Sequence, residues 1–181
     1  MKKILLLSAL FFSHSALAEV YEISGSAFAT DGAPIPQYVA SHHEKIIMVD
    51  PNAHAWGAYN AQGKLIRWGI ATTGANWCRD IQQSCRTSSG SYRVYSLGSA
   101  SCVSSKFPYP GGGAAMPYCM YFNGGAAIHG SDDVEFANAS HGCVRVHVED
   151  AKWLRYQFVE GPSVSNQYRG TKIVIKSYQT N

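Results

Sequence analysis

The sequence predicts a mainly β domain. Short runs rich in branched and aromatic residues recur along it, as in Ile46-Ile47-Met48-Val49 and Ile173-Val174-Ile175. Ile66, Trp68 and Ile70 alternate with Arg67 and Gly69, the period-2 pattern of a strand. A single segment stands out for its helical period. The 181 residues are 46% hydrophobic, 12% aromatic and 15% charged. That supplies a core for one domain of ordinary size, leaves little room for a second, and argues against a disordered chain.

Taken in order, residues 1–18 read as a secretory signal peptide. Lys2 and Lys3 form a positive start, Ile4 to Phe12 a short apolar stretch, and Ala16-Leu17-Ala18 a small-x-small cleavage site. The apolar stretch is far shorter than the ~20 residues of a spanning helix, and no later run reaches that length. A soluble mature chain from Glu19, without a membrane span, is expected in an exported compartment. Removing Lys2 and Lys3 leaves 13 basic and 12 acidic residues, a net of +1. That balance gives no electrostatic case for nucleic acid.

Residues 19–43 read as an irregular lead-in, since Pro34 and Pro36 limit regular structure. Ile46 to Val49 is a buried strand. His54 to Tyr59 and Lys64 to Ile70 form a hairpin around Asn60-Ala61-Gln62-Gly63. Tyr92 to Tyr95, Ala126 to Ile128 and Lys172 to Lys176 are further strands. The helix runs from Glu149 to Val159, with Ala151, Leu154 and Phe158 on one face. Glu149 and Asp150 suit its N-terminus, and Gly161-Pro162 stops it.

Cysteine usage divides the chain. Of five cysteines, Cys78, Cys85, Cys102 and Cys119 cluster, and Cys143 stands apart. An oxidising compartment favours two disulfides among the four, which leaves one thiol. Three pairings are open; Cys78–Cys85 with Cys102–Cys119 is favoured because each closes a local loop. By the chain-entropy model these loops contribute about 2.5 and 3 kcal/mol. The stretch from Cys78 to Cys119, rich in Ser and Gly, reads as a stapled excursion from the β body.

The chemistry concentrates in His129-Gly130 and Ser140-His141-Gly142-Cys143-Val144-Arg145. A free thiol has a pKa near ~8.5, so a neighbouring imidazole is needed to raise its reactive fraction. His129 and His141 are both candidates for that base, and spacing does not order them. If the backbone is extended, His141, Cys143 and Arg145 share one face. Gly142 permits close backbone approach, and amides at Gly142 and Cys143 offer donors to a developing oxyanion. Arg145 offers a planar fork for a carboxylate.

These residues resemble the catalytic motif of the L,D-transpeptidases, the YkuD-type family. Ala71-Thr72-Thr73-Gly74, Thr87-Ser88-Ser89-Gly90-Ser91-Tyr92 and Met116-Pro117-Tyr118 are also similar to family elements, with Ser88 where Pro is usual. The paired-Cys excursion resembles the enhanced-entry protein subgroup. The resemblance implies a β-sandwich over residues 44–181 with a cleft over Cys143. It implies peptidoglycan stem peptides as substrates; no cofactor and no metal are expected. Cys143 would attack the carbonyl before a terminal D-residue and pass the acyl group to an amine or to water. By motif position His129 is the base, and His141 and Gly142 shape and polarise the site. Ser140 holds the turn, Arg145 contacts a carboxylate, and Gly130 and Tyr118 border the substrate. Carbapenem-type β-lactams are the implied inhibitors. The gap from His129 to Cys143 is slightly shorter than the family's, which makes the loop from Ser131 to Ala139 unusual.

Three rivals are weighed against this reading. Trimming by an L,D-carboxypeptidase uses the same acyl-enzyme. A low-turnover wall- or host-surface-binding protein on the same scaffold would leave Cys143 inert. A metal site at His141, Cys143, His147 and His129 would bury the nucleophile and leave the glycines without a role.

Overall fold

The computed structural model describes residues 30–179. The signal peptide expected at 1–18 and residues 19–29 of the lead-in lie outside the described residues. Strand β1 (Ile46–Asp50) explains the layering. Ile47 and Val49 belong to the main core, whereas Ile46 and Met48 belong to a second cluster with Ala55, Tyr59 and Leu65. A strand buried on both faces needs no polar alternation, so its sequence is a continuous apolar run.

Around β1 a five-stranded sheet forms from β2 (Ala55–Tyr59), β3 (Leu65–Ile70), β5 (Gly90–Arg93) and β11 (Lys172–Ile175), in the order β3-β2-β1-β11-β5. The hairpin β2–β3 turns at Asn60 to Gly63, where Asn60 Oδ1 accepts from the amides of Gln62 and Lys64. β1 and β11 pair in parallel, with Ile47 opposite Ile173 and Val49 opposite Ile175. The lead-in lies over the outer face of this sheet: Ile35 is buried against it, and Tyr59 donates to the Pro36 carbonyl (2.7 Å). It is irregular, yet it closes the second cluster.

A second sheet packs on the first in the order β10-β8-β7-β6, from β6 (Ser96–Leu97), β7 (Met120–Asn123), β8 (Ala126–Gly130) and β10 (Val144–Val146). Ile47, Trp56 and Ile173 meet Met120, Ile128 and Val144 in the main core. A small two-stranded sheet joins β4 (Thr73–Gly74) to β9 (Asn138–Ser140). The chain is therefore a β-sandwich.

Helix α1 (Val148–Trp153) continues as a π-helical turn, Leu154–Phe158. Ala151, Leu154 and Phe158 are buried together in the core, as their spacing requires. Glu149 lies in the first turn and is exposed, where the helix dipole favours it. Asp150 shares the first turn, as expected, and has a further role. It is buried and accepts from Arg67 of β3 at 2.6 Å, so it serves a buried ion pair as well as the helix start. The Arg67 guanidinium also lies over the Trp153 ring, 4.7 Å from its centroid.

The excursion carries two disulfides, Cys78–Cys85 and Cys102–Cys119. Between them the chain returns twice to the body, through β5 and β6.

Candidate active site

Two strands of the second sheet bring the motif residues together. β8 and β10 pair in parallel, which sets Arg145 opposite His129. Cys143 immediately precedes β10 and is half-buried, the one free cysteine among the described residues. A cavity of about 180 Å³ is lined by His129, Ser140, His141, Cys143 and Arg145, with Asp133 and Met116 beside them. A second, of about 350 Å³, reaches Cys143 from the side of Lys106, Phe107, Tyr121, Gly125 and His141. A separate cavity of about 430 Å³ among Lys45, Arg93, Glu160 and Lys172 has most of its charges already paired and is lined by no cysteine.

The backbone from His141 to Cys143 is a turn, not the extended segment that the i, i+2 argument assumes. Gly142 has φ +108°, a conformation open to glycine and strained for other residues. Ser140, itself buried, holds the turn from below. Its Oγ donates to the Cys143 carbonyl (2.5 Å) and accepts from the Gly142 amide (3.2 Å). The Gly142 amide thus has a hydrogen-bond partner within the turn.

His129 is buried, and its Nδ1 lies 2.9 Å from the Gly130 carbonyl. A carbonyl only accepts, so Nδ1 carries the proton and Nε2 of the neutral ring keeps its lone pair. Burial, assisted by the Arg145 charge, holds His129 below the usual imidazole range. Burial pushes the Cys143 thiol up, against smaller opposing effects of the Ala127 backbone and Arg145. Both groups therefore rest uncharged near neutrality.

His141 is held differently. Its Nε2 donates to Asp80 at 2.9 and 3.0 Å, and its ring lies 4.6 Å from that of Phe107. Asp80 belongs to the Cys78–Cys85 loop. The hydrogen bond from His141 keeps its carboxyl below the ordinary range. Arg145 is paired with Asp133 through Nη1. The loop between the motifs is tied to the body: Thr72 Oγ1 donates to the Glu135 carbonyl (2.7 Å) and accepts from its amide (2.5 Å), and Thr73 Oγ1 donates to Asn138 (2.5 Å).

Two expected site residues lie elsewhere. Tyr118 adopts φ +59° after Pro117, and its ring meets Tyr156 edge-on at 5.7 Å, packed against the core. Gly130 faces the helix: a Cβ there would lie 3.0 Å from Val148 Cα. It supplies the carbonyl for His129, and close packing explains the glycine. Asp80, Phe107 and Asp133 are site residues absent from the sequence expectations; only their place within the excursion and the inter-motif loop pointed their way. Of the metal set, His129, His141 and Cys143 share a cavity, but among the described residues their ligand atoms and those of His147 do not converge as a metal site requires. Among the described residues the convergent donors are Cys78, Cys85 and His141, and the two sulfurs are joined to each other.

A family model described as the L,D-transpeptidase catalytic domain (YkuD) matches residues 44–175. No curated protein matches the chain. Among solved structures, an L,D-transpeptidase from Xylanimonas cellulosilytica superposes with a TM-score of 0.60 at 25% identity, over 78% of this chain and 64% of that one. An L,D-transpeptidase from Stackebrandtia nassauensis gives 0.58 at 17% identity, over 79% and 60%. L,D-transpeptidase 3 from Mycobacterium tuberculosis, solved with a faropenem-derived adduct, gives 0.55 at 18% identity, over 74% and 60%. This chain thus spans less than two thirds of each of these structures, and the latter two likenesses speak to fold alone.

Proposed function

We propose that this chain, which belongs to the L,D-transpeptidase catalytic domain family, is a cysteine-dependent acyltransferase acting on peptidoglycan stem peptides. The observation that carries the reading is the shared cavity of Cys143 and His129, with His129 Nδ1 committed to the Gly130 carbonyl. That leaves Nε2 as the ring's proton acceptor. Two uncharged partners suit proton transfer at the moment of attack, because no buried charge need be maintained beforehand.

In the first half of the reaction, Cys143 Sγ attacks the carbonyl that precedes the terminal D-residue. The thiol proton passes to His129 and then to the departing amine, which leaves a thioester. In the second half an acceptor amine takes the acyl group and restores the thiol. Ser140 fixes the Cys143 turn throughout, and Arg145, at the cavity mouth, exchanges Asp133 for a substrate carboxylate. Two disulfides and the leader-like residues 1–18 support export to a periplasmic or wall-facing compartment. Among the described residues no helix is long and apolar enough to cross a membrane. The same nucleophile makes Cys143 a target for carbapenem-type β-lactams.

Product mass spectrometry with disaccharide-tetrapeptide tests the reading, with Cys143→Ala alongside. The expected product is a Cys143-dependent dimer that has lost one terminal D-residue. A Cys143-dependent tripeptide without dimer would instead assign trimming. Unchanged substrate, with folded protein and reduced Cys143, would favour a binding role.

A further inference from the structure

We propose that the Asp80–His141 pair is the base for the second half of the reaction, taking a proton from the acyl-accepting amine. The inference rests on the acyl-transfer reading above. A carboxylate only accepts, so the contacts at 2.9 and 3.0 Å place a proton on His141 Nε2. In the neutral ring Nδ1 then carries the lone pair. Among the described residues His141 Nδ1 has no hydrogen-bond partner.

His129 lines one of the cavities that meet at Cys143, whereas His141 lines both. His141 is thus the imidazole of the cavity walled by Lys106, Tyr121 and Gly125. A thioester on Cys143 can receive an amine from that side without displacing what His129 serves. The ring is also fixed: Phe107 lies against it, and Asp80 comes from a loop closed by a disulfide over seven residues of sequence separation. The Gly142 turn abuts the same loop, with the Cys85 carbonyl 3.6 Å from where a Cβ at Gly142 would stand.

An amine reaches the site as an ammonium and has no lone pair until it loses a proton. His141 Nδ1 takes that proton, and the Asp80 carboxylate stabilises the imidazolium. The amine nitrogen attacks the thioester carbonyl. A C–N bond forms, the C–S bond breaks, and sulfur leaves with the electron pair. The nitrogen's second proton passes through His129 to sulfur, which restores the Cys143 thiol. His141 releases its proton to solvent.

The two halves separate in one experiment on the mature protein with disaccharide-tetrapeptide as donor and acceptor. Release of the terminal D-residue reports the first half, dimer the second, and intact mass the acyl-enzyme. In His141→Ala we expect dimer formation to fall about 100-fold, and in Asp80→Asn about 10-fold. Release in the first turnover should fall less than about 3-fold in both, so acyl-enzyme accumulates, because His129 still supplies the base for acylation. Asp80→Glu should recover part of the loss, and added imidazole should partly restore dimer formation in His141→Ala. Equal losses in both halves would mean that His141 only holds the turn, and undiminished dimer would mean that it does nothing here; either overturns the proposal. Absence of acylation in the unaltered protein would overturn the acyl-transfer reading, and this inference with it.

Discussion

Two histidines flank Cys143, and they are held by opposite means. His129 is built into β8, is 6% exposed, and is fixed by a carbonyl of its own strand. The side chain of His141 is 32% exposed and is fixed by a carboxylate from a disulfide-closed loop. The first needs only the β body, because strand pairing and burial set its tautomer and its lowered proton affinity. The second needs the excursion. The difference teaches that the excursion is more than a stabilising insertion: it supplies Asp80 and Phe107 to one side of the nucleophile.

The largest effect should break the body side. His129→Ala removes the proposed acylation base, and we expect acylation by substrate to fall about 10²- to 10⁴-fold, read as first-turnover release of the D-residue. A loss as small as that of Asp80→Asn would erase the contrast between the two histidines. A comparable cost, now in stability, follows from the body's own buried pair. Arg67→Leu leaves Asp150 buried without its partner, and denaturant unfolding should show a loss of about 3–5 kcal/mol. Burial, which already raises the Asp150 carboxyl, predicts that this loss shrinks as pH falls and the carboxyl protonates.

The excursion side should give less in stability, and its effect on chemistry should fall on the second half of the reaction. Replacing Cys78 and Cys85 with Ser should cost about 2.5 kcal/mol by the chain-entropy model. The double variant should remain folded by near-UV circular dichroism, while dimer formation falls as it does in Asp80→Asn. A fully active double variant would separate the loop from the site.

Smaller still is the pH effect at His129. Its folded pKa is depressed, so the base-competent neutral ring persists below the usual imidazole range. The acidic limb of the acylation rate should therefore lie below pH ~6.5. The stability sign is the same: His129's contribution is complete above its unfolded pKa and is lost as pH falls through the folded value. An acidic limb at or above the ordinary value would place the base outside this buried position.

How much of this was legible in the sequence follows the same division. β1, the β2–β3 hairpin, β8 and β11 announce themselves because their side chains face a core on one or both sides. β7 did not, although Asn123-Gly124-Gly125 is a hairpin signal, because its flank Cys119 reads as the end of the excursion. β9 is three residues long and pairs only with the two-residue β4, too short for any period. Among the residues lining the cavity that His129 shares with Cys143, His129, Ser140, His141, Cys143 and Arg145 were legible as a motif. Asp80 was not, because its contact with His141 spans 61 residues of sequence and depends on how a disulfide loop folds back. Gly142 was legible as a glycine but not as a turn, since only φ reveals the turn in which its amide has a partner.

The smallest expected effect concerns Tyr118, which sequence position put at the cleft and the fold puts against Tyr156. Neither cavity at Cys143 includes it. Its hydroxyl has no hydrogen-bond partner among the described residues, so Tyr118→Phe removes no contact and keeps the edge-on ring pair. Stability should change by no more than about 0.5 kcal/mol, and turnover should stay within about twofold. Tyr118→Ala removes the ring from the core margin and should cost more stability, with KM for the stem peptide still unchanged. A raised KM in Tyr118→Phe, with the melting temperature preserved, would mean that this ring leaves Tyr156 when substrate enters and that the cleft extends past Pro117 on the β-body side.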